Sequence, residues 1–182
     1  DTAGFFVTGS AGALTITEVI EGEKNIYTIV TAEPIDVTDS YTLSYGGEGK
    51  EVRMPIWYST ADFEDKYTYE GDDLGAVWTA EQTTFRAWAP TAEAVSVCLY
   101  ASGTEGTEDL LNRVEMTADV SGTWVATVEG DLNGTYYTYA VTHGDETVEA
   151  CDPYARTTGV NGKRAMVIDL DSTDPVNWAE DK

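Results

Sequence analysis

The sequence predicts an all-β protein built as two tandem β-sandwich domains with little helix. Three observations predict it. Apolar and polar residues alternate in short runs, the period-two pattern of strands with one buried face. Turn signals rich in Gly, Asn and Asp separate those runs at intervals of about ten residues, the spacing of sandwiches and barrels. No stretch carries the 3.6-residue period of a long helix.

In chain order, "ALTITEVI", "NIYTIVTA", "SYTLSYGG" and "EVRMPIWY" are four candidate strands, linked by "EGEKN", "EPIDVTD" and "GGEGK". Ser59 with Asp62 resembles a capping box, which predicts a single helical turn over 60–66. The polar "EGDD" that follows marks a boundary near residue 70, dividing a small domain at 1–66 from a larger one at 70–182. In the second domain "AVSVCLY" sets Val95, Val97 and Leu99 against Ser96, Cys98 and Tyr100. "TWVATVEG" alternates Trp124, Ala126 and Val128 with Val125 and Thr127. "TYYTYAVTHG" does the same with Tyr137, Tyr139 and Val141, and "AMVIDL" closes with Met166, Ile168 and Leu170. The turns between them are "SGTEG", "DVSG", "GDLNG", "HGDE" and "VNGK".

Charge narrows the partners. Ten basic residues against 33 acidic ones give a net charge of -23, which repels phosphates and anionic lipid. Nucleic acid and membrane surfaces are therefore excluded, whereas a neutral polysaccharide meets no such penalty. No apolar run reaches the ~20 residues of a membrane span. The opening "DTAGFFVTGSAGAL" lacks a basic leader region, and the chain starts and stops abruptly, as an excised or processed piece would. Acidity with few cysteines fits an extracellular or cell-surface bacterial protein.

Little chemistry is legible. No Gly-x-Ser-x-Gly, phosphate loop, His-Glu-x-x-His or Cys/His pairing occurs. Cys98 and Cys151 have no metal-ligand spacing; they form a disulfide if adjacent, or are two small buried apolar groups. The single His143 lies in a polar hairpin turn without partner ligands. "DLDSTDP", with Asp169, Asp171 and Asp174, lacks the glycine and terminal Glu of a calcium loop. Neither metal nor cofactor is expected. One feature stands out: "CDPYARTTGVNGKRAMVIDL" (151–170) gathers Arg156, Lys163 and Arg164 in an otherwise acidic chain.

That stretch also carries a resemblance. Residues 66–100, "GDLNGTYYTYAVTHG", "CDPYARTTGVNGKRAMVIDL" and "STDPVNWAEDK" resemble the isoamylase-type N-terminal domain of type I pullulanases, starch-debranching hydrolases of the α-amylase superfamily. Residues 1–60 look like the small β-domain that often precedes it. The resemblance implies an immunoglobulin-like sandwich of the family 48 glycan-binding type. It also implies a parent enzyme that hydrolyses α-1,6 linkages of pullulan, amylopectin and limit dextrins with a barrel C-terminal to this chain. This chain itself is expected to be noncatalytic.

Glycogen-binding relatives of the fold use two exposed tryptophans, a lysine and an asparagine. The matching positions here hold Thr147 and Val148, the aromatic-free loop "ASGTEGTED", Thr138, and Asn161, so α-glucan binding in isolation is expected to be weak or absent. Trp78 and Tyr136 are the substitute ring candidates, with Trp57 and Trp178 near turns or ends; Trp88 and Trp124 are expected to pack inward. Asp152, Tyr154, Arg156, Asn161, Lys163 and Arg164 form the expected docking set for the barrel, the three cations pairing with its carboxylates. The alternative is that they neutralise local acids such as Asp152 and Asp169. Two other readings stay open: an autonomous starch-binding module, and an immunoglobulin-like adhesion or assembly domain.

Overall fold

The computed structural model describes residues 4–36, 39–53, 57–106 and 108–180. The protein is all-β and divides into two compact units, Asp1–Glu64 and Asp65–Lys182.

In the first unit, strands β1 (Phe5–Gly9), β2 (Gly12–Leu14), β5 (Thr42–Tyr45) and β6 (Glu48–Glu51) make an antiparallel sheet in the order β2-β1-β5-β6. Strands β3 (Ile16–Glu21) and β4 (Tyr27–Thr31) form a separate hairpin. Strand β6 falls on "EGKE", which the sequence reading treats as a linker. Gly46 and Gly47 both have positive φ, 62° and 88°, and the two-residue turn they make starts the return strand at Glu48. No apolar residue marks that strand, so alternation misses it, and β1 is missed as well. Residues 54–56 of the fourth expected strand lie outside the described residues, and Trp57–Ser59 is a 3-10 turn.

The expected helical turn is a two-turn helix, α1 (Ala61–Tyr67). Its cap is Thr60 rather than Ser59: the Thr60 hydroxyl accepts the Phe63 N–H at 3.3 Å, satisfying one of the free donors of the first turn. Phe63 and Tyr67, one turn apart, are the buried residues of the helix.

The second unit is a two-layer sandwich. One layer runs β10 (Leu110–Glu115), β9 (Ala94–Tyr100), β13 (Tyr136–His143), β16 (Ala165–Met166), β15 (Thr157–Thr158), with β14 (Glu146–Ala150) also on β13. The other runs β11 (Thr117–Ala118), β12 (Thr123–Glu129), β8 (Gln82–Trp88), β7 (Gly75–Trp78). Phe85, Ala87 and Ala126 from the second layer meet Val95, Val97, Leu99, Tyr137 and Tyr139 from the first in one buried cluster. The Phe85 and Tyr137 rings cross edge to face at 5.0 Å, and burying each such ring contributes ~2–3 kcal/mol.

Parity then places Trp88 on the outer face, against expectation. It is 42% exposed, and its indole N–H donates to the carbonyls of Tyr67 at 2.8 Å and Ser121 at 3.1 Å. Trp124 does pack on the core, its N–H held by the Ala89 carbonyl at 3.0 Å. Cys98 and Cys151 are both free thiols, which closes the disulfide alternative.

Candidate functional site

The outer face of the β9–β13–β14 sheet is where alternation predicts solvent. Instead, Cys98, Tyr100, Thr138 and Ala140 are all buried there. The segment after β9 passes close to Tyr136 and is held there by Arg164, which lies over Tyr100. The Arg164 side chain donates to the Ser102 carbonyl at 2.8 Å and to both Asp109 carboxylate oxygens at 2.9 and 3.0 Å. It also donates to the Gly106 carbonyl. Its guanidinium sits 3.5 Å above the Tyr100 ring centroid, adding cation–π attraction to the ion pair. Asp109 is held below the usual carboxylate range by the Ser102 hydroxyl and then by Arg164. The approach demands glycine at two points: a Cβ on Gly103 would lie 2.6 Å from the Tyr136 ring and 2.8 Å from Gly159.

Glu149, an exposed residue of β14, accepts the Tyr100 hydroxyl and, at 2.6 Å, the Thr138 hydroxyl with its carboxylate. Burial and the Glu149 hydrogen bond push the Tyr100 phenol up to about 12. A polar pocket of about 250 Å³ remains between Tyr100, Thr138, Glu149, Glu105, Lys163 and Arg164. It offers no open ring face.

The expected docking set therefore splits in two. Arg164 is 3% exposed and Asp152 is 4% exposed, so both are internal struts, correcting their assignment to a docking surface. Asp152 accepts the Tyr137 hydroxyl at 2.6 Å and the Tyr154 N–H at 2.8 Å. Burial raises its carboxyl above 3.8, and burial with the neighbouring Asp152 charge raises the Tyr137 phenol too. Gly75, at φ +97°, makes room for this turn: a Cβ there would stand 3.2 Å from the Asp152 carboxylate and the Tyr154 carbonyl. Tyr154, Arg156, Asn161 and Lys163 face outward. Asn161 and Gly162 turn the chain with φ of 56° and 66°, and Lys163 pairs with Glu105 at 3.0 Å on the surface. The local acids that the cations meet are thus Asp109 and Glu105, not Asp152 and Asp169.

The glucan candidates are not brought together. Trp78 is half-buried on the core side of its sheet, its N–H held by Asp131 at 2.9 Å. Tyr136 lies on the outer face of the other sheet, half-buried beside Cys98, Tyr100 and Ala140. Asn161 is exposed on its turn. Sequence reasoning missed a further network on the β8 outer face. There Arg86 donates to Asp73 at 2.9 Å, to Asp119 at 2.6 Å and to Thr123 at 2.9 Å. Tyr69 closes it by donating to Asp73 at 2.5 Å, and Asp73 is held low by that bond and by Arg86. Its one sequence signal is the "EGDD" run, which reads as a boundary because its partners are distant in sequence.

Residues 73–155, which hold the core strands and the Asp152 turn, match carbohydrate-binding module 48 (isoamylase N-terminal domain). This segment belongs to that family. Beyond the module, the chain is similar to a pullulanase of Bacillus subtilis (strain 168), 31% identical over 156 residues, covering 85% of this chain and 20% of that protein. Among solved structures it resembles a pullulanase from Bacillus acidopullulyticus with a TM-score of 0.76 at 35% identity, covering 87% of this chain and 19% of that one. It also resembles a Paenibacillus barengoltzii pullulanase, crystallised with maltohexaose and α-cyclodextrin, with a TM-score of 0.63 at 45% identity, over 68% and 19% of the two chains. The chain thus spans about a fifth of the length of these relatives.

Proposed function

We propose that this chain is the noncatalytic accessory region of a bacterial, extracellular or cell-surface, starch-debranching enzyme, in which it packs on or positions a catalytic barrel C-terminal to it. The carrying observation is the similarity over 85% of this chain to a pullulanase of which it spans only 20%. The barrel would supply α-1,6-glucan hydrolysis. The docking surface reduces to the outward residues of the basic stretch, Tyr154, Arg156, Asn161 and Lys163, with Tyr154 52% and Val160 56% exposed beside them. Exposed aromatic and apolar groups rimmed by charge are what such a surface requires.

Arg156→Glu tests the docking. In the longer protein it should lower the melting temperature more than in the 182-residue chain; equal shifts count against docking. Release of reducing ends from pullulan by the purified chain would overturn its noncatalytic role. The second reading, an autonomous α-glucan module, is weakened for the module 48 face: Arg164 lies over Tyr100 there, and Thr138, Thr147 and Val148 supply no ring. α-Glucan contact through that face alone is weak or absent.

A further inference from the structure

We propose that Asn161–Gly162 is a modification site, at which Asn161 deamidates spontaneously to aspartate and isoaspartate while the other Asn-Gly pair, Asn133–Gly134, is spared. The chain holds these two Asn-Gly pairs, and both sit in exposed turns. Asparagine is thermolabile, most of all before glycine, which has no Cβ to shield its amide nitrogen from the preceding side chain. Sequence therefore gives the two pairs the same reactivity, and only the fold can separate them.

The bonds around each pair do so. At Asn133 the groups that the reaction needs are engaged. The Gly134 N–H, whose nitrogen would be the nucleophile, donates to the Val167 carbonyl at 2.8 Å, and Val167 is 1% exposed. The Asn133 side-chain oxygen accepts the Asp169 N–H at 3.0 Å. Its main-chain N–H is held by the Asp131 carboxylate at 2.9 Å, which the Trp78 indole N–H fixes in turn at 2.9 Å.

At Asn161 the side chain is exposed and makes no hydrogen bond among the described residues. The turn closes on two longer bonds, from the Gly162 N–H to the Gly159 carbonyl and from the Lys163 N–H to the Val160 carbonyl, each 3.2 Å, at the long end of the normal range. In the closed turn Asn161 stands at φ 56° and ψ 22°, which keeps the Gly162 nitrogen away from its side chain. Residues 160–163 are all exposed, so the turn opens and brings the two together without disturbing the core.

The step balances without an oxidant or a cofactor. Hydroxide takes the Gly162 amide proton and the nitrogen attacks Asn161 Cγ. The Cγ–Nδ2 bond breaks, and ammonia leaves with a proton from water, giving a cyclic imide. Water then opens either carbonyl–nitrogen bond of the ring. Opening at Cγ gives aspartate; opening at the main-chain carbonyl gives isoaspartate, whose backbone is one methylene longer. Either product adds a carboxylate to the stretch that carries Arg156, Lys163 and Arg164, lowering its positive charge. The effect on the parent enzyme rests on the docking reading above, whereas the chemistry does not.

The test is peptide mapping by mass spectrometry after the 182-residue chain has been held in mildly alkaline buffer. Trypsin releases Asn161 in the peptide Thr157–Lys163 and Asn133 in Val114–Arg156. The first peptide should gain one mass unit and split into two chromatographic peaks, one of them labelled by an isoaspartyl methyltransferase. Conversion should rise with hydroxide and run at least about tenfold faster than at Asn133, where opening must break into the core. In concentrated urea the two should react within about twofold of each other, because the bonds that spare Asn133 are gone. Asn161→Gln, whose longer side chain closes a ring slowly, should lose the label while keeping a cooperative melting transition. The proposal is overturned if Thr157–Lys163 stays unconverted or if Asn133 reacts as fast in the folded chain. It is overturned too if Asn133 stays the slower in urea, or if the label survives in Asn161→Gln. None of these results bears on the docking reading, which is decided by the Arg156→Glu comparison in the longer protein.

Discussion

The two units use the same alternating sequence pattern to opposite effect. In the second, two sheets face each other and Phe85, Val97, Leu99, Tyr137 and Tyr139 lie almost wholly out of water. In the first, a four-stranded sheet and a two-stranded hairpin bury Val7 and Tyr41. They leave Phe6 63%, Tyr45 59%, Ile26 66% and Ile20 47% exposed. A small unit has too little interior for its apolar residues, so alternation that makes a core in one unit makes a surface in the other. An aromatic in period two is therefore a packing signal only where a second layer exists to receive it.

The sharpest way to break this comparison is to cut each unit at its own aromatic. Phe85→Ala should destabilise the protein by about 4 kcal/mol, because the cavity sits between two closed layers. Urea unfolding followed by tryptophan fluorescence measures it, and a loss below about 1 kcal/mol would mean that the core can collapse around the gap. Next in size is the strut on the outer face. Arg164→Ala leaves Asp109 and two carbonyls without their partner and should cost about 3 kcal/mol. Arg156→Ala, a few residues away and exposed, should cost less than about 0.5 kcal/mol. Equal effects in the two would show that burial is not what separates them.

Smaller still is Thr83→Val. The Thr83 hydroxyl is the one buried side-chain polar atom without a partner among the described residues, and its removal should raise stability by about 1 kcal/mol. In the first unit Tyr45→Ala should change stability by no more than about 0.5 kcal/mol, since the ring is mostly in water already.

Acid and base should also separate the struts. Asp73, Asp109 and Asp119 are held below 3.8 by their hydrogen-bond partners. The stability they contribute is present above that value and is lost as pH falls through their folded-state values. Asp152 is shifted the other way by burial. What it contributes is full below 3.8 and is lost as pH rises through its folded value. The melting temperature of Asp152→Asn relative to the parent chain should therefore improve from about pH 4 to pH 8. A constant difference across that range would mean that the Asp152 carboxylate suffers no net penalty from burial.

Much of this architecture was legible. Val95, Val97 and Leu99 alternate without interruption, and their face is the core. "GDLNG", "HGDE" and "VNGK" name their turns through residues that tolerate positive φ, as Gly134, Gly144 and Asn161 do. The family resemblance rested on the same segments. Strand β6 was not legible because "EGKE" has no apolar member and owes its pairing to the Gly46–Gly47 turn. Trp88 was misassigned because its neighbours Phe85 and Ala87 settle its parity only once their facing sheet is known.

The sequence by itself thus determined the all-β class, the positions of most turns and the resemblance of residues 70–182 to a module 48 domain. These depend on local periodicity, on turn chemistry and on motifs contiguous in the chain. Only the tertiary structure decided which cations are structural and which aromatics are open. Arg164 meets Asp109, 55 residues earlier, and Phe5 meets Tyr45 across a sheet. Burial and charge pairing are properties of such distant encounters, and a linear pattern cannot say which face of a strand another segment will cover.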